Sequence, residues 1–271
     1  MQPKQIAEQD EKLKIKLETV FTKELTSLFN RINKENSQYI LANGNHENAF
    51  RFKSDFESVL KKHYVRVQES FSGRVENSLS EEDQELSDKE QVLFNNSLTR
   101  WRDLKASDNA FLISETNNKN FNSSLQKAKD LLIAQEEPIN NYNLAVGSAT
   151  FFRRYYKPRA KNIAITETQK SAETTKIMEA SVLSGLPPEK VLGLGAITLR
   201  TLTKKVWRTV GDSKVRSAHA FANGQRKILT EPFVVGGELL QAPGDTSLGA
   251  TAWNIVGCRC SSTYEIVRVR I

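Results

Sequence analysis

Cysteine is almost absent from this chain: it has two, Cys258 and Cys260, separated by a single residue. A bridge between them would close a small, strained ring, so free thiols or thiolates are expected. No run of 18 apolar residues occurs, and the opening Gln2-Pro3-Lys4-Gln5 lacks the apolar core of a signal peptide, so neither membrane insertion nor secretion is expected. Glycine and proline are scarce in the first two thirds. Ten of the 13 glycines and four of the seven prolines fall between Gly185 and Gly257, which concentrates tight turns there.

What fills the glycine-poor part is helical spacing. Leu13, Leu17, Val20, Phe21, Leu25, Leu28, Phe29 and Ile32 recur at three- and four-residue steps, predicting an amphipathic helix from about Gln9 to Lys34. Phe52, Phe56, Val59, Leu60, His63, Val67 and Phe71 repeat the pattern, with Gly73 as the stop; His63 lies on the apolar stripe and is read as packing. Glu76 to Glu90 is acidic and polar, consistent with a mobile loop or an exposed helix start. Helical spacing resumes through Val92, Leu93, Leu98 and Trp101, is expected to pause at Ser107-Asp108-Asn109, and returns over Phe121, Leu125, Ala128 and Leu132 before Pro138.

After Gly147 the texture changes. A helix is expected from Thr166 to Leu183, with Gly185 as its C-cap and Pro187-Pro188 blocking continuation. Thr203 to Val210 reads as a strand, and Asp212 as the N-cap of a helix running through Phe221 to Asn223-Gly224. Phe233-Val-Val and Glu238-Leu-Leu flank Gly236-Gly237 as a hairpin, and Tyr264 to Ile271 reads as a final strand. The predicted class is α+β: a helical N-terminal region over residues 1–150, then a compact module of short helices and an antiparallel sheet over 151–271.

The net charge of +7 is uneven: residues 1–150 carry 20 Lys+Arg against 23 Asp+Glu, whereas 151–271 carry 19 against 9. Arg153, Arg154, Lys157, Arg159 and Lys161 interleave with Phe151, Phe152, Tyr155 and Tyr156, a pattern that suits phosphate contact and base stacking. The simpler reading is a helix with buried aromatics and solvated cations. Arg208, Arg226 and Lys227 form a second basic group near the histidine helix, along with Arg216, and this face would meet either DNA phosphates or an acidic partner surface.

The most informative stretch comes late. In order it holds Thr166-Glu167 on a helix, Lys205-Val-Trp207, Asp212 with Arg216 and His219, Gly224-Gln225, Pro232-Phe233, Gly236-Gly237, Pro243-Gly244-Asp245 and Cys258-Arg259-Cys260. In this order and spacing, over about residues 160–262, the series resembles the phage Mu protein F-like, or minor head protein, family of head-morphogenesis proteins. The first half is similar only in its helical texture. The resemblance implies a structural virion component made in the host cytoplasm, carried inside the capsid, attached to the portal and linked to DNA packaging, retention or ejection. Capsid or scaffolding proteins and the packaged DNA are further partners it implies. Two positions depart from the family pattern: Ile165 stands where an arginine usually precedes Thr-Glu, and Gly257 where an asparagine usually precedes the first cysteine.

His219, Cys258 and Cys260 supply three of the four ligands a zinc ion takes, with Asp245, Asp212, His46 or water as the fourth. Cys-x-Cys is less common in structural zinc sites than Cys-x-x-Cys. The simpler expectation is therefore buried thiols, with His219 hydrogen-bonded to the Pro-Gly-Asp or Cys-Arg-Cys loop and no cofactor. A thiolate nucleophile activated by His219, with Arg259 stabilising charge, is a further alternative. Two other functional classes stand beside the head-protein reading: a metal-dependent hydrolase or nuclease built on His219, Cys258, Cys260 and Asp245, and a non-specific nucleic-acid-binding protein.

Overall fold

A computed structural model describes residues 3–45, 49–75, 86–186, 188 and 202–267. His46, most of the acidic stretch after Glu76, Pro187 and the last four residues of the expected final strand lie outside the described residues. The chain is α+β. Four long helices, α1 (Pro3–Asn43), α2 (Lys53–Phe71), α3 (Asp88–Ala134) and α4 (Asn141–Leu183), precede short elements. These are β1 (Leu202–Arg208), α5 (Ser217–Ala222), β2 (Arg226–Ile228), β3 (Phe233–Val235), β4 (Glu238–Leu240), α6 (Ala252–Ile255) and β5 (Ser261–Val267).

The compact units do not follow a division at residue 150, which falls inside α4. One unit comprises residues 1–18, 64–101 and 165–271; the other comprises 19–63 and 102–164. The long helices therefore each contribute to both. In the second unit Phe29 packs on Phe56 and Tyr156, Phe121 stacks on Phe152 at 3.7 Å, and His63 stacks on Phe21 at 3.8 Å. His63 is fully buried, as its place on the stripe predicts. The tract at 151–161 is amphipathic only in part: Phe152 and Tyr156 are buried, but Phe151 is half-buried and Tyr155 is exposed beside Arg153, Arg154, Lys157 and Lys161, while Arg159 donates to Asn117 at 3.1 Å.

Helix limits differ from the periodicity reading for physical reasons. α1 runs on past Lys34 because Ile40 joins a core cluster with Leu125, Leu144 and Ala145, while Val20 lies exposed rather than on the buried stripe. The pause expected at Ser107-Asp108-Asn109 is absent. Ala106 and Ala110 carry the buried stripe through it, and three polar residues on the outer turns cost only a few tenths of a kcal/mol each. α3 opens with a reciprocal cap in which Ser87 N–H donates to Glu90 at 2.8 Å and Glu90 N–H to Ser87 at 3.5 Å. Gly147 is not a boundary: it lies inside α4, where a Cβ would sit 2.9 Å from that of Ala128, so glycine permits close approach of α3.

α4 ends as expected. Gly185 takes φ 69° and Leu186 N–H reaches back to Ser181 C=O at 2.8 Å, with Leu186 buried against Ile177 and Ala180. The strands form an antiparallel sheet in the order β2-β1-β5, and β3 and β4 form the hairpin about Gly236-Gly237, whose φ values are 59° and 83°. One expectation fails here: α5 begins at Ser217, after Arg216, so Asp212 does not cap it. Asp212 instead accepts from Lys214 N–H at 2.9 Å in a turn.

Candidate functional site

The first unit is organised around the second half of α4, which is buried yet rich in polar residues. Thr166, Glu167, Thr168, Gln169, Ser171, Glu173, Thr175, Lys176 and Glu179 are all inaccessible to solvent or nearly so. A helix so polar can be buried only if its side chains find partners, because each unpaired buried polar group costs on the order of 1–3 kcal/mol. Lys14, from α1, supplies several. Its ammonium donates to Gln169 at 2.8 Å, Glu173 at 3.1 Å, the Cys260 carbonyl at 3.2 Å and Ser261 Oγ at 3.2 Å. Lys176 bridges Asp10 and Glu173, both at 2.9 Å, and donates to the Ser262 carbonyl at 3.1 Å.

The same helix holds the C-terminal loops. Gln169 Nε2 donates to the Cys260 carbonyl at 2.7 Å and the Pro243 carbonyl at 3.2 Å. Gly244 is required at the Pro-Gly-Asp turn on two counts: its φ is 82°, and a Cβ would meet Gln169 Cγ at 3.0 Å. Gly257 N–H donates to Thr166 Oγ1 at 3.4 Å, and Glu167 accepts from Tyr64 OH at 2.6 Å and Lys170 at 3.2 Å. The Gly257 backbone lies at φ 68°, a region that glycine enters freely, which sets the turn leading into the thiol loop.

On this frame the histidine and both thiols converge. His219, near the middle of α5, is 2% exposed and Cys258 and Cys260 are equally buried. His219 Nδ1 lies 3.6 Å from Cys258 Sγ and 3.4 Å from Cys260 Sγ. Trp207 forms one wall, edge-on to His219 with ring centres 5.7 Å apart, and Phe233 packs edge-on against Trp207 at 5.3 Å. Both thiols can face one nitrogen because residues 258–260 lie in a loop between α6 and β5, not in an extended strand. A hydrogen bond from Cys260 and the adjacent imidazole, working against burial, bring the Cys258 thiol down to about 5. Cys260 is correspondingly raised by its bond to Cys258 and by burial.

Asp245 does not join this group. Its carboxylate accepts from Gln241 N–H at 3.0 Å, Ser247 N–H at 3.0 Å and Ser247 Oγ at 2.7 Å, which makes it a turn clamp. Asp212 is also elsewhere: it pairs with Arg259 at 2.7 Å, and that bond is the main reason its carboxyl is held below the usual range. Arg259 also reaches Glu11 at 3.8 Å, so it braces the thiol loop. Arg216 donates to the Val256 carbonyl and lies over the Trp253 ring at 5.8 Å. Among the described residues, His219, Cys258 and Cys260 are the one group of three or more His, Cys, Asp or Glu side chains placed to share a metal ion.

The remaining motif residues are braces. Gln225 pairs its side-chain amide with the Val234 peptide, donating at 3.0 Å and accepting at 2.8 Å, as another strand would. Gly224, at φ 80°, donates to the Trp207 carbonyl at 2.8 Å. Of the second basic group, Arg208 reaches Thr263 at 3.4 Å and Arg226 pairs with Glu265 at 3.5 Å, while Lys227 is half-buried on β2. Arg153, Arg154, Lys157, Arg159 and Lys161 belong to the other compact unit, so the two basic groups do not share one.

Sequence reading missed the polar lattice of Asp10, Lys14, Gln169, Glu173 and Lys176. The signal was present: 10, 14 and 17 on α1, and 169, 173 and 176 on α4, fall on buried stripes at helical spacing. Lys205 stood in the motif series, but its burial was not foreseen. That side chain is buried, donates to the Gln241 carbonyl at 2.7 Å and Gln241 Oε1 at 2.6 Å, and is lowered by burial to about 7. Comparison of the chain with protein-family models, curated proteins and solved structures finds no match.

Proposed function

We propose that this chain is an assembly protein whose work is recognition rather than catalysis. The carrying observation is that the residues of its ordered motifs are occupied in holding one unit together. Thr166 binds the Gly257 amide, Gln225 the Val234 peptide, Asp245 the turn that precedes it, and Arg259 is gripped by Asp212 and Glu11. Asp245, the fourth residue on which the hydrolase reading was built, is committed to its own turn. That weighs against the metal-dependent hydrolase or nuclease.

Within that class, the reading the motif series favours is a minor head protein of a tailed phage, of the Mu protein F-like kind. Such a chain binds the portal inside the capsid and assists head assembly, DNA packaging or ejection, in contact with capsid or scaffolding proteins and the packaged DNA. The exposed cations at 153, 154, 157 and 161 suit a polyanionic or acidic partner. The test is co-expression with the neighbouring portal-type chain, followed by purification of particles. The expected result is a saturable complex with a portal ring and retention in purified heads. Absence from particles, combined with duplex binding that falls steeply with salt and needs no protein partner, would replace this reading with the nucleic-acid-binding one.

A further inference from the structure

We propose that His219, Cys258 and Cys260 bind one zinc ion, with the fourth coordination position open to a ligand from the adjoining basic pocket. The inference stands on geometry and is independent of the head-protein reading.

Three observations carry it. The first is convergence on one atom. Both sulfurs lie within reach of a single ring nitrogen, Nδ1, at 3.6 and 3.4 Å. A cation placed between the three atoms uses the nitrogen lone pair and both sulfurs at once. The second is spacing. With zinc about 2.3 Å from sulfur and about 2.0–2.1 Å from nitrogen, tetrahedral angles separate nitrogen and sulfur by roughly 3.5 Å. The two distances fall on either side of that value, and all three ligand atoms lie within 4.8 Å of one another. Little movement is needed to close the site.

The third is the surroundings. Two thiolates and Zn²⁺ make a neutral centre with imidazole, which suits burial, whereas a pair of bare thiolates does not. The ligand loop is held without help from a metal: the Cys260 carbonyl by Lys14 and Gln169, Arg259 by Asp212, and the Gly257 amide by Thr166. Such bracing orients first ligands in the way second-layer contacts do at metal centres. On the open side, a cavity of about 80 Å³ is lined by His219, Cys258 and Cys260 together with Lys214, Arg216 and Arg259. With Arg259 paired to Asp212, Lys214 and Arg216 remain as the pocket's cations, and they favour water or a small anionic group, such as a carboxylate, as the fourth ligand.

The test uses the untagged full chain, reduced and stripped with a chelator, then titrated with zinc and separately with cobalt(II). One equivalent of zinc per chain is expected to survive exchange against a weak competing chelator, and zinc is expected to raise the thermal midpoint. Cobalt should give four-coordinate ligand-field bands with a thiolate charge-transfer band. The Cys258→Ser/Cys260→Ser double variant should lose that equivalent, the charge-transfer band and the thermal shift, and His219→Cys should keep all three. Circular dichroism and a count of two reactive thiols after denaturation establish that the wild-type protein tested is folded and reduced. Substoichiometric zinc in that protein, an octahedral cobalt spectrum, or equal binding by the double variant would overturn the proposal.

Discussion

Replacing Lys14 with methionine tests whether the polar interior of the first unit is held by charge pairing. Lys14, Glu173, Lys176 and Asp10 are each at most 3% exposed at their side chains, and they form a neutral set of two cations and two anions. Methionine preserves most of the aliphatic volume but leaves one negative charge uncompensated. Breaking a buried pair by removing one partner typically costs ~3–5 kcal/mol. Lys176 still contacts Glu173 at 2.9 Å, which puts the expected loss near the lower end, at ~3 kcal/mol. That is a large share of the ~5–15 kcal/mol that stabilises most folded chains. Urea unfolding followed by circular dichroism at neutral pH reads the loss as a lower midpoint. The pair variant Lys14→Met/Glu173→Gln restores neutrality and should recover at least ~1 kcal/mol of it. A single-variant cost below ~1 kcal/mol, or no recovery in the pair, would refute the charge-pairing account.

Lys205 should give stability a distinctive pH dependence. Unfolded, it keeps its proton up to the ordinary 10.5, whereas folded it releases it near 7, so between those values the unfolded chain binds more protons and stability rises with pH. The gap caps the effect at ~5 kcal/mol, and Lys205→Met should flatten the rise in urea midpoint between pH 7 and 9. Gly244→Ala forces a side chain into φ 82° and against Gln169, and should cost ~2 kcal/mol; Gly237→Ala, at φ 83° in open space, should cost ~1 kcal/mol, both read by thermal melts. Gln225→Ala removes the side-chain clamp on the Val234 peptide and should speed hydrogen exchange at Val234 with a loss of ~1–2 kcal/mol. At low pH, burial acts to raise the Asp10 carboxyl, but Lys176 and Lys14 outweigh it and hold it below its ordinary range. Its contribution is present at neutral pH and is lost as pH falls below about 4, a slope that Lys14→Met should weaken in acid titrations.

How much was readable in advance follows the range of the interaction. The hairpin at Gly236-Gly237 and the cap at Gly185 were legible because turn chemistry acts over a few residues, and both appear as expected. The helix expected from Asp212 illustrates the limit. A good cap residue promises a helix only if the residues after it bury a face, and here Asp212 is drawn instead to Lys214 N–H and to Arg259, 47 positions away. The absent pause at 107–109 has the same origin: polar residues signal a break locally, but Ala106 and Ala110 have a core to pack against.

By itself, the sequence determined the α+β class, the amphipathic stripes, and the residues that gather at the candidate site, because helical period, glycine turns and residue chemistry are local properties. Only the tertiary structure decided that Lys14 meets Glu173 across 159 positions, that Asp245 clamps a turn instead of joining His219, and that each compact unit is assembled from separate stretches of the chain. Buried polar pairing depends on which distant segments meet out of water, and no periodicity within a single segment carries that information.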